Sequence, residues 1–153
     1  MKKIFISVLG IVLAFIFSAC SASYDVDLSA VMNEINGSLD STDLTVVETK
    51  EELEQYYLIN GEDVDSFEAE FSANSTTMTE IILVKAVDEK ARENISKSLD
   101  NLYVSRMSLA QSYATENVPM LEKCSVQEDG LYVSLIISDN AEELRKIYNS
   151  YFK

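Results

Sequence analysis

The sequence contains no histidine and no tryptophan, one proline, two cysteines and four glycines. Without histidine there is no Ser-His-Asp triad and no imidazole ligand for a metal. Two cysteines are too few for a zinc ribbon or a disulfide scaffold. The scarcity of proline and glycine excludes collagen-like repeats and Pro-rich linkers. Positive charge is scarce as well, with 12 basic against 26 acidic residues and a net charge of −14. Such a chain has no electrostatic footprint for a nucleic-acid backbone or an anionic bilayer. The charge bears on solubility and partners and leaves the fold open. What remains is 153 residues, 47% of them hydrophobic, which is enough for one domain.

The first twenty residues divide into the parts of a signal peptide. Lys2 and Lys3 form a positive start, and residues 4–17 form an apolar run broken only by Ser7 and Gly10. A permanent membrane span needs roughly 17–25 apolar residues, so this run suits a signal core. Phe17-Ser18-Ala19-Cys20 then places small residues just before a cysteine. This is similar to the lipobox of bacterial lipoproteins, although Phe17 stands where leucine is commonest. The resemblance implies cleavage before Cys20 and diacylglyceryl modification of its thiol. The alternative is an ordinary signal with a free Cys20, which would leave an exposed thiol in an oxidising compartment.

Losing Lys2 and Lys3 leaves 10 basic against 26 acidic residues, or −16. Anionic headgroups would repel that body, so two or more acyl chains must do the holding, each buried methylene contributing about 0.8 kcal/mol. The expected division is a signal peptide over 1–19, a lipidated cysteine and short polar tether over 20–26, and one domain over 27–153.

Along that domain, Asp27 is a plausible N-cap. Leu28, Val31, Met32 and Ile35 make one helical stripe, and Gly37 is a natural stop. Thr49 and Glu52 form a capping box that opens a short helix through Tyr57. The period then changes to two: Phe67, Ala69 and Phe71 alternate with Glu68 and Glu70, predicting a half-buried strand. Ile81-Ile82-Leu83-Val84 is apolar on both faces and predicts a central strand. Asp88 caps the longest helix, with Ala91, Ile95, Leu99, Leu102, Leu109 and Tyr113 inward and Glu93 and Lys97 paired outside. Pro119 marks a return to strand, with Met120, Cys124 and Val126 on one face. A tight connection at residues 127–130 leads to Leu131, Val133, Leu135 and Ile137. Asp139 and Glu142 cap a last helix carrying Leu144, Ile147, Tyr148 and Tyr151 inward. The prediction is an α+β domain: an antiparallel four-stranded sheet of two hairpins, covered on one face by the long helix, with short N- and C-terminal helices.

Three stretches carry a second resemblance: Glu80-Ile-Ile-Leu-Val-Lys-Ala-Val-Asp88, Lys123-Cys-Ser-Val126 and Gly130-Leu-Tyr-Val-Ser-Leu-Ile-Ile-Ser-Asp139. In order and spacing they resemble small bacterial lipoproteins carrying the domain of unknown function 4358. That resemblance implies an extracytoplasmic, lipid-anchored protein. It assigns no activity, cofactor or catalytic residue, so Cys20 is the one site residue, and only for lipidation.

The residues offer little chemistry of their own. Cys124 shares a face with Met120 and Val126, and its neighbour Lys123 points away, so it reads as a small buried hydrophobe instead of a nucleophile. Glu68 and Glu70, about 7 Å apart on one strand face, have a spacing that suits paired catalytic carboxylates, but the wet face of an amphipathic strand is the commoner reading. Glu62, Asp63 and Asp65 lack the spacing of an EF-hand loop, so a solvated turn is expected in place of a calcium site. Of eight tyrosines, Tyr56, Tyr57, Tyr148 and Tyr151 present either an aromatic binding surface or a core edge with hydroxyls in water, the latter preferred. Asn36, Asn74 and Asn94 begin N-x-Ser/Thr triplets to which no glycosylation meaning is attached.

These features lead to expectations of a non-enzymatic accessory protein on the outer face of a cell membrane. It would be held by lipid (diacylglyceryl or palmitate) on Cys20 and would contact another envelope protein, with no cofactor, metal or nucleic acid. The alternative is a small-ligand or cation-binding lipoprotein. An enzyme ranks third.

Overall fold

The computed structural model describes residues 24–39, 43–73 and 78–153. Lys2, Lys3, the apolar run, Cys20 and Asn74 lie outside the described residues.

Helix α1 (Leu28–Asn36) opens on Asp27, whose carboxylate accepts from the Ser29 N–H at 3.0 Å. Its stripe of Leu28, Val31, Met32 and Ile35 is buried as the spacing predicts. Strand β1 (Leu44–Val47) leads to α2 (Lys50–Tyr57), which starts with the expected Thr49–Glu52 capping box. A 3-10 turn over Gly61–Asp63 enters β2 (Val64–Ser72), which pairs with β3 (Glu80–Ala86). The Asp88 side chain caps α3 (Glu89–Tyr113), the long helix. Glu93 pairs with Lys90 at 3.4 Å instead of the expected Lys97. A 3-10 turn (Thr115–Asn117) and the short α4 (Val118–Leu121) follow, then β4 (Val126–Asp129), β5 (Tyr132–Ile137) and α5 (Ala141–Ser150). Gly130 makes the tight β4–β5 connection at φ 60°, a backbone region in which a side chain would be strained.

The fold is α+β with an antiparallel sheet, and four finer expectations are corrected. The sheet has five strands, in the order β1-β2-β3-β5-β4, and all its pairs are antiparallel. The additional strand, β1, pairs along β2 at the sheet's edge. Of its four residues only Val47 is buried, so it carries no periodic hydrophobic signal. Pro119, second, opens a helix instead of a strand. It lies in the first turn of α4, where the missing N–H costs nothing. Met120 and Cys124 are both buried, but a spacing of four puts residues on one face of a helix and of a strand alike, so their spacing does not separate the two.

The third correction concerns the faces. Val47, Ala69, Ile82 and Leu135 stand in register on one face of the sheet. There α3 reaches the sheet through Arg106 to Glu80 and Arg92 to Glu128, and Tyr56 of α2 packs on Phe71. The opposite face, with Leu83, Ile136 and Tyr132, is covered by α1 and α5 instead of being left to water. Asn36 of α1 reaches Glu70 there, and Gln127 reaches Asn149 of α5. Helices on both faces explain why Ile81, Ile82, Leu83 and Val84 are each 0% exposed. The last helix is also entered differently: Asn140, not Asp139, is its N-cap residue, and no side chain bonds its first turn. The Ser138 hydroxyl donates to Asn140 Oδ1 instead.

Candidate functional site

The antiparallel layout gives the domain two distinct ends. At one lie the finish of β3, the start of β5, the start of α1 and the finish of α5. Tyr132, at the start of β5 and 1% exposed, is the centre of this end. Its hydroxyl accepts from the Val26 N–H at 2.8 Å and donates toward the Val26 carbonyl at 3.3 Å. Phe152 packs edge-on against both Tyr132 and Tyr24, with centroids 5.1 and 5.2 Å apart, and lies tilted on Tyr148 at 4.6 Å. Lys85 stands over the Tyr132 ring and pairs with Asp65 at 3.3 Å and Asp25 at 3.9 Å. Residues 24–26 are therefore clamped to the body by aromatic packing and a buried hydroxyl. The described residues begin at Tyr24, four positions after Cys20.

At the other end lie the start of β3, the finish of β5, the start of α5 and the overhanging C-terminal turns of α3. Arg106 places Nε and Nη2 at 2.8 Å from the two carboxylate oxygens of Glu80, which is 5% exposed. The hydrogen bonds to Glu80 hold the guanidinium charged, above its ordinary pKa. The buried Tyr57 hydroxyl lies close enough to feel both charges and has no hydrogen-bond partner among the described residues. Beyond this ion pair, Met78, Arg106, Leu109, Ala110, Tyr113 and Glu116 line an open, mainly apolar groove of about 470 Å³. Leu109 and Tyr113 belong to the stripe expected to face inward, yet they are 47% and 87% exposed. A second depression of about 230 Å³, at the start of α5, is lined by Lys123, Asp139, Asn140, Glu142, Glu143 and Lys146.

Burial, and after it the nearby Glu80 charge, pushes Tyr57 well above tyrosine's ordinary value of 10.0. Tyr148 is pushed up by burial too. A raised folded pKa means that the unfolded chain loses its proton first, so stability is complete below pH 10 and falls as pH rises beyond it. Chemical denaturation at pH 8, 10 and 11 should show a midpoint steady up to about pH 10 and falling steeply above. Each such tyrosine withdraws up to about 1.4 kcal/mol per pH unit. Tyr57→Phe should flatten part of that fall.

The structure sorts the remaining sequence candidates. Cys124 is buried as expected, but in the turn after α4. Its thiol lies 3.4 Å from the Met120 carbonyl, and burial raises its pKa, which disfavours the thiolate. Glu68 and Glu70 do share a face, the one that α1 covers, with Glu68 half-buried there. Glu70 is buried and accepts from Asn36 Nδ2 at 3.0 Å on both oxygens. Glu68 is pushed up by burial and then by the Glu70 charge. The acidic turn is dispersed: Asp63 accepts from Asn94 at 3.1 Å, and Asp65 belongs to Lys85. Among the described residues, no group of three or more acidic or cysteine side chains is placed to hold a metal ion. Of the tyrosines, Tyr57 and Tyr148 are core residues with buried hydroxyls, Tyr56 is exposed, and Tyr151 donates to Glu34 at 2.6 Å.

Sequence reasoning missed the Glu80–Arg106 pair and the groove. One signal was available. Arg106 is the only basic residue between Lys97 and Lys123, and it interrupts an otherwise apolar stripe.

These features define a small α+β domain with a five-stranded antiparallel sheet between two helical layers, a clamped N-terminal entry at one end and an apolar groove at the other. The chain belongs to the family described as domain of unknown function (DUF4358), which matches residues 37–138. The match takes in all five strands and α2 to α4, and stops short of α1 and α5. No curated protein and no solved structure matches the chain.

Proposed function

We propose that this protein is a lipid-anchored accessory protein without catalytic activity. Its signal over residues 1–19 is removed, Cys20 carries the lipid, and the domain is held on the extracytoplasmic face of a cell membrane, where it contacts another envelope protein. One observation carries this reading: the clamp at Tyr24–Val26 lies within four residues of Cys20 and at the end of the sheet opposite the groove. Four residues reach about 14 Å at most, so lipid on Cys20 would keep the clamped end at the bilayer and turn the groove away from it. The net charge of −16 after loss of the signal agrees with an anchor that is covalent and not electrostatic.

The test is full-length protein expressed in a bacterium with lipoprotein processing, grown with an alkyne-tagged palmitate. The wild type should take up the label and sediment with membranes. Cys20→Ala should remain unlabelled and be released or left with its signal uncleaved. Equal labelling and retention of the two would overturn the anchor.

A further inference from the structure

We infer that the groove at the free end of α3 receives a basic amphipathic segment of a protein partner. This deepens the proposed function and rests on its binding role and on removal of the signal, though not on the lipid. The apolar stripe of α3 continues past the sheet that it covers. Arg106 meets Glu80 at the first residue of β3, and Leu109 and Tyr113 follow one and two turns later, beyond the strands of the described residues. Their exposure therefore comes from the length of the helix. Met78 and the buried Ala110 also line the groove. It is mainly apolar and open to solvent.

Its rim is negative. α3 has no basic residue in its last turn, so its final carbonyls carry the negative end of the helix dipole uncompensated by side chains of that turn. Glu116 stands exposed beside them. Among the described residues that line the groove, Arg106 is the one cation, and Glu80 already neutralises it.

These observations narrow the occupant. The chain's own N-terminal segment leaves from the opposite end. From Lys85 to Glu80 is about 17 Å of strand, and the two overhanging turns add about 10 Å. With the signal removed as proposed, the four residues 20–23 that precede Tyr24 cannot cover that distance. Residues 40–42 (Asp-Ser-Thr) and 74–77 (Asn-Ser-Thr-Thr) carry no large apolar or basic side chain. A second copy would bring the same negative charge against the rim. A segment with leucine-like residues at i, i+3/i+4 and i+7 fills the groove, and its flanking lysines or arginines meet Glu116, the carbonyls of α3 and the exposed Tyr113 ring.

The experiment uses the full-length processed protein in a nonionic detergent and three fluorescent peptides of about 18 residues, roughly five helical turns. One is a Leu/Lys amphipathic helix, one is the same composition scrambled, and one is a Leu/Glu helix. Fluorescence anisotropy should show binding of the first, with the scrambled and Leu/Glu peptides weaker by about tenfold or more. Tyr113→Ala and Leu109→Ser should each weaken it by about five- to tenfold, and Glu116→Lys by at least as much. Glu62→Lys and Val87→Ser, placed at the clamped end, should leave it unchanged. All three groove positions are exposed, and unchanged circular dichroism will show that the fold survives.

The inference is overturned if the scrambled peptide binds as tightly, if the groove substitutions have no effect, or if the Leu/Glu helix is preferred. A concentration-dependent dimer that Tyr113→Ala abolishes would overturn it in favour of a second copy. Loss of anchoring in Cys20→Ala does not bear on any of these results, so the two readings fail separately.

Discussion

Arg106→Ala is expected to lower the stability of the domain by about 3 kcal/mol, the loss typical of stranding one partner of a buried ion pair. The reason is the environment of Glu80. Its side chain is 7% exposed and receives two charge-assisted bonds from Arg106, each 2.8 Å long. Truncation leaves the buried carboxylate unpaired beside the unpartnered Tyr57 hydroxyl, with nothing among the described residues to replace the guanidinium. Small domains have about 5–15 kcal/mol in all, so urea denaturation at pH 7 should show the midpoint falling by a fifth or more. Arg106→Lys should recover only part of the loss, because an ammonium cannot reproduce the two-pronged geometry. The double variant Glu80→Gln with Arg106→Met should be more stable than Arg106→Ala alone, since it removes the stranded charge. If the double variant is the worse of the two, the pair contributes through packing and not through charge.

Tyr132→Ala should cost about 3–5 kcal/mol, the range for deleting a buried aromatic ring. Tyr132 is fully enclosed, meets Phe152 edge-on, lies under Lys85 and holds the Val26 backbone. Tyr132→Phe separates these roles. It keeps the ring and removes the hydroxyl, so it should cost only about 1 kcal/mol. Its larger effect should be local. With the Val26 N–H released, residues 24–26 should exchange their amide hydrogens faster and become open to proteolysis while the core stays protected. Protection of those residues equal to that of the wild type would show that the Tyr24–Phe152 contact alone holds the segment.

Local features of the fold were legible where neighbouring residues set the answer. Asp27, Thr49 with Glu52, and Asp88 each satisfy backbone N–H groups within three residues of themselves, so the starts of α1, α2 and α3 could be read directly. The buried run Ile81–Val84 announced a central strand. β1 stayed hidden because an edge strand with one buried residue owes its existence to β2, whose partner residues lie some two dozen positions away. α4 stayed hidden because Pro119 suits the first turn of a helix as well as a strand entry, and because Met120 and Cys124 satisfy both periods. The candidate site was less legible still. Tyr113 follows the stripe of Leu99 and Leu102 in sequence, yet is 87% exposed because the helix outlasts the sheet.

The sequence alone determined the acidity, the absence of histidine chemistry, the capped helices, the central strand and the family resemblance, because each depends on composition or on residues within a few turns of one another. Tertiary structure decided the rest: that helices cover both faces of the sheet, that Glu70 is buried under α1, and that Tyr24 and the α3 groove occupy opposite ends. These depend on contacts such as Val26 with Tyr132, 106 positions apart, which form only when the whole chain packs and which no local periodicity records.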